Sequence, residues 1–264
     1  VLTAGRLQAV YLDGLGMLCA SLTRDAVEIL GRTDELEGYV ERGSTCALPF
    51  LHPWANRLAG LRYAAAGRVV LLDPRSPLLH LDGNALPMHG VPGANLAWRT
   101  VGHAVDGETA RLSAVLDWSS PERLAVFPYP HRVEMEVGLD ARGLQVVTTL
   151  RPAGEESIPA SFGFHPYLRL AGVPRAEWSL ELPAMRRLPV DDRQIPNGVE
   201  EAFSARSLVL GDGAFDDGFR LEGDQARFAL SAKGRRIGVE FQGGYPFAQI
   251  YAPVGRDFVA VEPM

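Results

Sequence analysis

The sequence predicts an all-β protein, a large antiparallel sandwich or barrel, from three observations. Apolar and polar residues alternate with period two over most of the chain, as strands with one buried face require. Glycine (28) and proline (19) punctuate these runs at intervals too short for long helices. The strand–helix alternation of a doubly wound or barrel α/β fold is missing.

In chain order, the shorter strand-like runs begin with Arg68 to Leu72 and Arg111 to Leu116. Arg132 to Leu139 then alternates polar and apolar residues. Asp140–Gly143 turns the chain and Leu144 to Leu150 runs back, a hairpin signature with glycine where a positive φ is expected. A second hairpin runs Ala226 to Ser231, turns at Lys233–Gly234 and continues Ile237 to Phe241. Ala248 to Tyr251 and Asp257 to Val261 complete the set. Only Asp25 to Leu30 and Pro121 to Ala125 suit a helical turn or two. No fixed-length repeat, low-complexity segment or charged linker divides the chain, so a single domain over residues 1–264 is expected.

Composition narrows the function classes. With 47% apolar and 22% charged residues the chain is ordinary for a globular protein and long enough for a sizeable core. Its net charge of -6 argues against a nucleic-acid footprint or an anionic membrane surface. Of 26 basic side chains only Lys233 is a lysine, and the arginines are scattered rather than striped. No apolar stretch is long enough to span a membrane, and Val1 to Asp13 lacks a signal pattern. A first residue other than methionine suggests a trimmed terminus. Cys19 and Cys46 fit neither a disulfide framework nor a zinc knuckle and read as core fillers, with a cytoplasmic setting as the default.

The informative residues are polar groups in apolar or turn-rich surroundings. Asn56–Arg57 follows a proline-rich run with Trp54 and is expected on a loop, either capping carbonyls or presenting an amide and a guanidinium to a ligand. His89 is flanked by Gly90, which permits close approach of ring and backbone to a ligand, although a lone histidine in an apolar turn is more often structural. His165 lies in Phe162-Gly163-Phe164-His165-Pro166-Tyr167, where an imidazole can titrate near neutrality and aromatic walls suit the C–H faces of a sugar. Asp216–Asp217–Gly218 reads as a turn. Glu262 ends a strand read as wholly buried. A carboxylate there must be paired, hydrogen-bonded or functional, and desolvation raises its pKa toward that of a useful base. No pair among the six histidines has an H-x-H or H-x-x-x-H spacing, so no metal site is expected. The G-x-S-x-G and phosphate-loop motifs are absent.

These positions, in order, resemble the aldose 1-epimerase (galactose mutarotase-like) family. The resemblance rests on Asn56-Arg57 with Gly60, Tyr63 and Gly67 behind it, Met88-His89-Gly90 followed by Trp98, and His165-Pro166-Tyr167. Phe215-Asp216-Asp217-Gly218-Phe219 and the terminal Val259-Ala260-Val261-Glu262-Pro263 complete it. It implies a large antiparallel β-sandwich, the galactose mutarotase-like supersandwich, and an isomerase interconverting the α and β anomers of a free aldose without a cofactor. It implies Glu262 as the base at O1 and His165 as the acid at O5, two opposed groups flanking the sugar ring. Asn56, Arg57, His89 and Asp216 are then the substrate-binding residues. Two departures bear on the substrate. Phe164 stands where galactose-type enzymes carry asparagine, and no arginine follows His89-Gly90 as in the phosphosugar branch. A glucose-6-phosphate 1-epimerase and a non-catalytic carbohydrate-binding protein are the alternatives. The expected partner is a small-molecule sugar, the expected assembly a monomer or homodimer, and the chain is expected to continue beyond Met264 as the family does.

Overall fold

The computed structural model describes residues 1–264 and is built almost wholly of antiparallel strands. The hairpin His131–Asp140 with Gly143–Pro152 shows why. His131, Val133, Met135, Val137 and Leu139 are buried while the residues between them are not, which is the period-two pattern made physical. Each fully buried Val, Leu or Met side chain contributes about 1.5–3 kcal/mol. This hairpin belongs to a four-stranded sheet completed by Thr109–Trp118 and the edge strand Arg99–Asp106.

A second four-stranded sheet opens the chain, Leu2–Ala4 through Val27–Glu28. A third pairs Arg206–Val209, Ser179–Leu182, Ala226–Ala232 and Arg235–Phe241. Its hairpin turns at Lys233 and Gly234, both at positive φ, as a two-residue turn between twisted strands requires. The fourth sheet positions the site. Its six strands run in the order Tyr167–Leu168, Val259–Pro263, Phe247–Ala252, Phe215–Leu221, Met185–Leu188 and Glu201–Phe203. One contiguous apolar cluster, from Leu2 to Val261, lies under these sheets.

Cys19 and Cys46 are free and buried within that cluster, as core fillers. Two local expectations need correction. Asp25–Leu30 is not helical: Asp25 and Ala26 both take positive φ and turn Leu18–Arg24 into the short strand Val27–Glu28. A helix forms instead at Leu36–Arg42 and stops at Gly43, which supplies the left-handed C-cap. The helix at Pro121–Val126 is where expected, with proline in its first turn and the Ser120 side chain accepting from the Arg123 N–H. No helix is long and apolar enough to cross a membrane.

Candidate functional site

The strand Val259–Pro263 is buried along its whole length, so both of its faces are occupied. Val259 and Val261 face the core. Register sets Glu262 directly opposite Gln249, and Gln249 opposite Gly218 on the next strand. Directly paired residues of antiparallel strands project from one face. Glu262 and Gln249 therefore share a face with Asp216, Tyr251 and Tyr167, which lie in the neighbouring row. Gly218 leaves space on this face, since a Cβ there would approach the Gln249 Oε1 to 3.2 Å. Asp216–Gly218 is thus strand interior rather than a turn. Its alternation sends Asp216 to the polar face while Asp217 pairs with Arg187 at 2.7 Å.

His165 reaches Glu262 from a separate segment. Its N–H donates to the Pro49 carbonyl and that of Tyr167 to the Ala47 carbonyl. Close approach depends on Gly163, where a Cβ would lie 2.4 Å from the Pro263 carbonyl oxygen. The result is direct contact: His165 Nε2 lies 3.2 Å from Glu262 Oε1, with the side chains only 5% and 2% exposed. The expected arrangement, two groups opposed across a ring, is therefore corrected to two groups side by side. The aromatic wall is also displaced from expectation. Tyr167 stacks on the imidazole at 4.2 Å, whereas Phe162 and Phe164 pack against Phe50.

Asn56 and His89 come from two loops that bond each other. The His89 N–H donates to the Asn56 carbonyl, and the Asn56 N–H donates to His89 Nδ1 at 3.2 Å. Both residues hold positive φ, an uncommon state for non-glycine residues and one concentrated at functional sites. Gly90 allows the loops to meet, because a Cβ there would sit 2.3 Å from the His52 carbonyl oxygen. Since Nδ1 accepts, the neutral ring carries its proton on Nε2 and offers a donor. The ring lies 5.5 Å from that of His165.

A polar chain links the remaining positions. Asp216 accepts from Gln249 Nε2 (2.7 Å), Gln249 Oε1 from Asn56 Nδ2 (3.3 Å), and Asn56 Oδ1 from Arg57 (3.1 Å). Arg57 is anchored by Asp82 at 2.7 Å. All six sequence-predicted residues, Asn56, Arg57, His89, His165, Asp216 and Glu262, thereby fall in one connected patch. Gln249 and Asp82 were not anticipated. The signal for Gln249 was the same as for Glu262, a polar residue inside a buried strand run.

Electrostatics follows from burial. Glu262 is pushed well above the ordinary carboxyl value, first by desolvation and then by Asp216, with Arg57 pulling the other way. Desolvation, then His89 and Arg32, pushes His165 well below the ordinary imidazole value against the opposing pull of its own backbone. His89 is pushed down to about 3 by desolvation, Arg57 and His80. Burial also raises Asp216, at the exposed end of the chain. Asp82 is held below the usual carboxylate range: burial works against its charge, but the Leu86 N–H, Arg57 and the Asn84 N–H outweigh it. Glu262 Oε2 and His165 Nδ1 have no hydrogen-bond partner in the protein, and buried polar atoms of that kind call for an explanation. A depression of about 580 Å³ between Arg68, Tyr129 and Glu156 contains none of these residues. Convergence of polar groups, not volume, marks the site.

Comparison with known proteins bears on the family and the fold. The aldose 1-epimerase family model matches residues 18–264. A galactose mutarotase-like protein from Clostridium acetobutylicum superposes with a TM-score of 0.83 at 18% identity, covering 98% of this chain and 82% of that one. A galactose 1-epimerase from Lactobacillus acidophilus gives 0.76 at 16% identity, covering 98% and 82%. An aldose epimerase homologue from C. elegans gives 0.70 at 17% identity, covering 100% and 88%. At these identities the structures show a shared fold. No curated protein sequence matches the chain.

Proposed function

Because the chain belongs to the aldose 1-epimerase family, we propose that it is a mutarotase, interconverting the α and β anomers of a free aldose by ring opening and reclosure. The contact between His165 Nε2 and Glu262 Oε1 supports this reading most strongly. Ring opening removes a proton from O1 and delivers one to O5, and both oxygens are bonded to C1. Two adjacent side chains suit two adjacent oxygens.

Burial pushes both groups toward their neutral forms, so the cycle is written from a protonated carboxyl beside a neutral imidazole whose Nε2 is free to accept. Transfer of that proton to Nε2 arms the pair. Glu262 then takes the O1 proton as His165 protonates O5, the C1–O5 bond breaks, and its electrons remain on oxygen while C1 becomes a carbonyl. Rotation about C1–C2 presents the other carbonyl face. The carboxyl returns its proton to O1 and the imidazole recovers the O5 proton as the ring closes. Protons balance over the cycle. Positioned acid–base catalysis contributes about a hundred- to ten-thousandfold, enough for a reaction that proceeds unaided in water.

In this reading Arg57 and the His89 Nε2–H donate to oxygens near the anomeric centre. Asp216, which accepts from Gln249 Nε2, takes hydroxyls farther along the ring in the same reading. The test is optical rotation of freshly dissolved aldoses, each with and without a 6-phosphate. Acceleration of a free aldose is expected. Acceleration confined to phosphorylated sugars would make the protein a phosphosugar epimerase, and binding without acceleration would make it a sugar-binding protein.

A further inference from the structure

One cation reaches the imidazole's surroundings from the opposite end of the chain. After the turn at Asp25–Ala26, residues Leu30 and Leu168 form an isolated bridge, and the Gly31 N–H donates to the Tyr167 carbonyl at 2.9 Å. Gly31 permits this approach, since a Cβ there would lie 2.9 Å from the Phe258 Cβ. Arg32 follows at φ +57, a left-handed conformation unusual for arginine. Its guanidinium lies over the Tyr167 ring, 4.9 Å from the centroid, and donates from Nη1 to the Tyr167 hydroxyl at 2.9 Å. That hydroxyl also bonds Thr45 Oγ1 at 2.6 Å. Glu35 holds the guanidinium from below and is itself held by Arg256. The phenol so fixed stacks on His165 with ring planes 17° apart.

We propose that Arg32 and Tyr167 are positioning residues: the guanidinium locks the phenol, and the phenol locks the imidazole plane toward Glu262. Neither touches the reacting oxygens. The left-handed turn at residue 32 and the glycine before it lie between the strand Val27–Glu28 and the helix Leu36–Arg42, and they deliver a cation to a buried ring that already has one face against an imidazole. The cation–π contact and the two hydroxyl bonds leave Tyr167 no freedom to tilt. The arrangement also keeps a positive charge near His165. Around that ring stand Glu262, His89 and Tyr251 from three other segments and Tyr167 from its own, and Arg32 is the arginine whose charge bears on it. This inference rests on the mutarotase reading for its catalytic consequence, but not for its effect on the imidazole.

The experiment therefore reads both. Arg32→Met keeps the apolar stem and removes the charge and donors, and Tyr167→Phe keeps the stack and removes the hydroxyl. In the intact protein, His165 is titrated by NMR of ring-labelled histidine while mutarotation is followed across pH. Loss of the cation favours the imidazolium, so in Arg32→Met the His165 titration and the matching limb of the kcat profile move to higher pH. kcat falls ~10–100-fold with KM within about threefold, the scale expected for loss of catalytic alignment. Tyr167→Phe shifts in the same direction and by less, and Arg32→Lys restores the pH position but only part of kcat. An unchanged His165 titration in folded Arg32→Met overturns the proposal. So does a kcat loss that merely follows the folded fraction. If the wild-type protein accelerates no anomer exchange, the mutarotase reading fails, while the NMR shift still decides whether Arg32 and Tyr167 govern the imidazole.

Discussion

Two buried histidine pairs lie in this molecule, and only one has the makings of chemistry. In the core, His52 and His131 approach at 2.9 Å, Nε2 to Nε2, enclosed by Trp118, Phe127 and Phe50. His131 Nδ1 faces the Tyr129 carbonyl at 2.6 Å and must donate, so its Nε2 accepts and His52 is the donor. At the site, His165 meets Glu262 at 3.2 Å. Burial holds His52, His131 and His165 toward neutrality alike. The difference is the partner and its neighbours. A second imidazole among aromatic rings can only satisfy a hydrogen bond. A carboxyl with a free oxygen, beside Gln249 and the polar chain to Asp216, can exchange a proton with something bound there. Depressed histidine pKa values alone do not mark an active site.

The largest effects expected from this contrast are catalytic. Glu262→Gln and His165→Ala each lower kcat for mutarotation by ~10²–10⁴-fold with sugar binding retained, as polarimetry and calorimetric titration will show. His131→Ala does the reverse, costing about 2–4 kcal/mol in urea unfolding through the cavity and the orphaned His52 donor. Its kcat per folded molecule stays within about threefold. If His131→Ala loses catalysis as Glu262→Gln does, the division between the two pairs is broken.

Smaller effects sharpen it. Gln249→Met leaves Asp216 and Asn56 without their shared amide, and KM rises about tenfold, the worth of about 1.4 kcal/mol, with a lesser change in kcat. Asp216→Ala likewise acts chiefly on KM. The stability of the fold carries the same signature. Histidines held neutral contribute stability that is present above 6.5 and lost as pH falls, because the unfolded chain binds protons the folded one refuses. Glu262 has the opposite sign: its contribution is complete below 4.5 and lost as pH rises through its elevated folded value. Between 4.5 and 6.5 the four histidines outweigh the one carboxyl, so stability declines toward acid. Replacing His131 by Leu makes that slope shallower by at most about 1.4 kcal/mol per pH unit, as unfolding measured across pH will show.

The hairpins were legible because solvent on one face and core on the other imprint period two directly on the residues. Glu262 was legible for a related reason, a carboxylate in a strand that offers no solvated place for its charge. Gln249 bears the same mark within Phe247–Ala252, yet acquires meaning only through its register with Glu262, which is a long-range fact. Arg32 is less visible still, since its place beside Tyr167 depends on a turn and a strand 135 residues apart in the chain. The helix Leu36–Arg42 was missed because no side chain caps its N-terminus, and the visible cue was Gly43 at its end. The side-by-side geometry of His165 and Glu262 was not legible, because it depends on Gly163 packing against the Pro263 carbonyl.

The central claim is that His165 and Glu262 act as one unit sharing a proton. The rate of anomer exchange in the double variant Glu262→Gln/His165→Ala tests it most directly, measured beside the two single variants. Groups that work as a unit are non-additive, so the double variant is expected to be no slower than the slower single variant. A double variant whose loss equals the product of the single losses would show two independent groups and contradict the account.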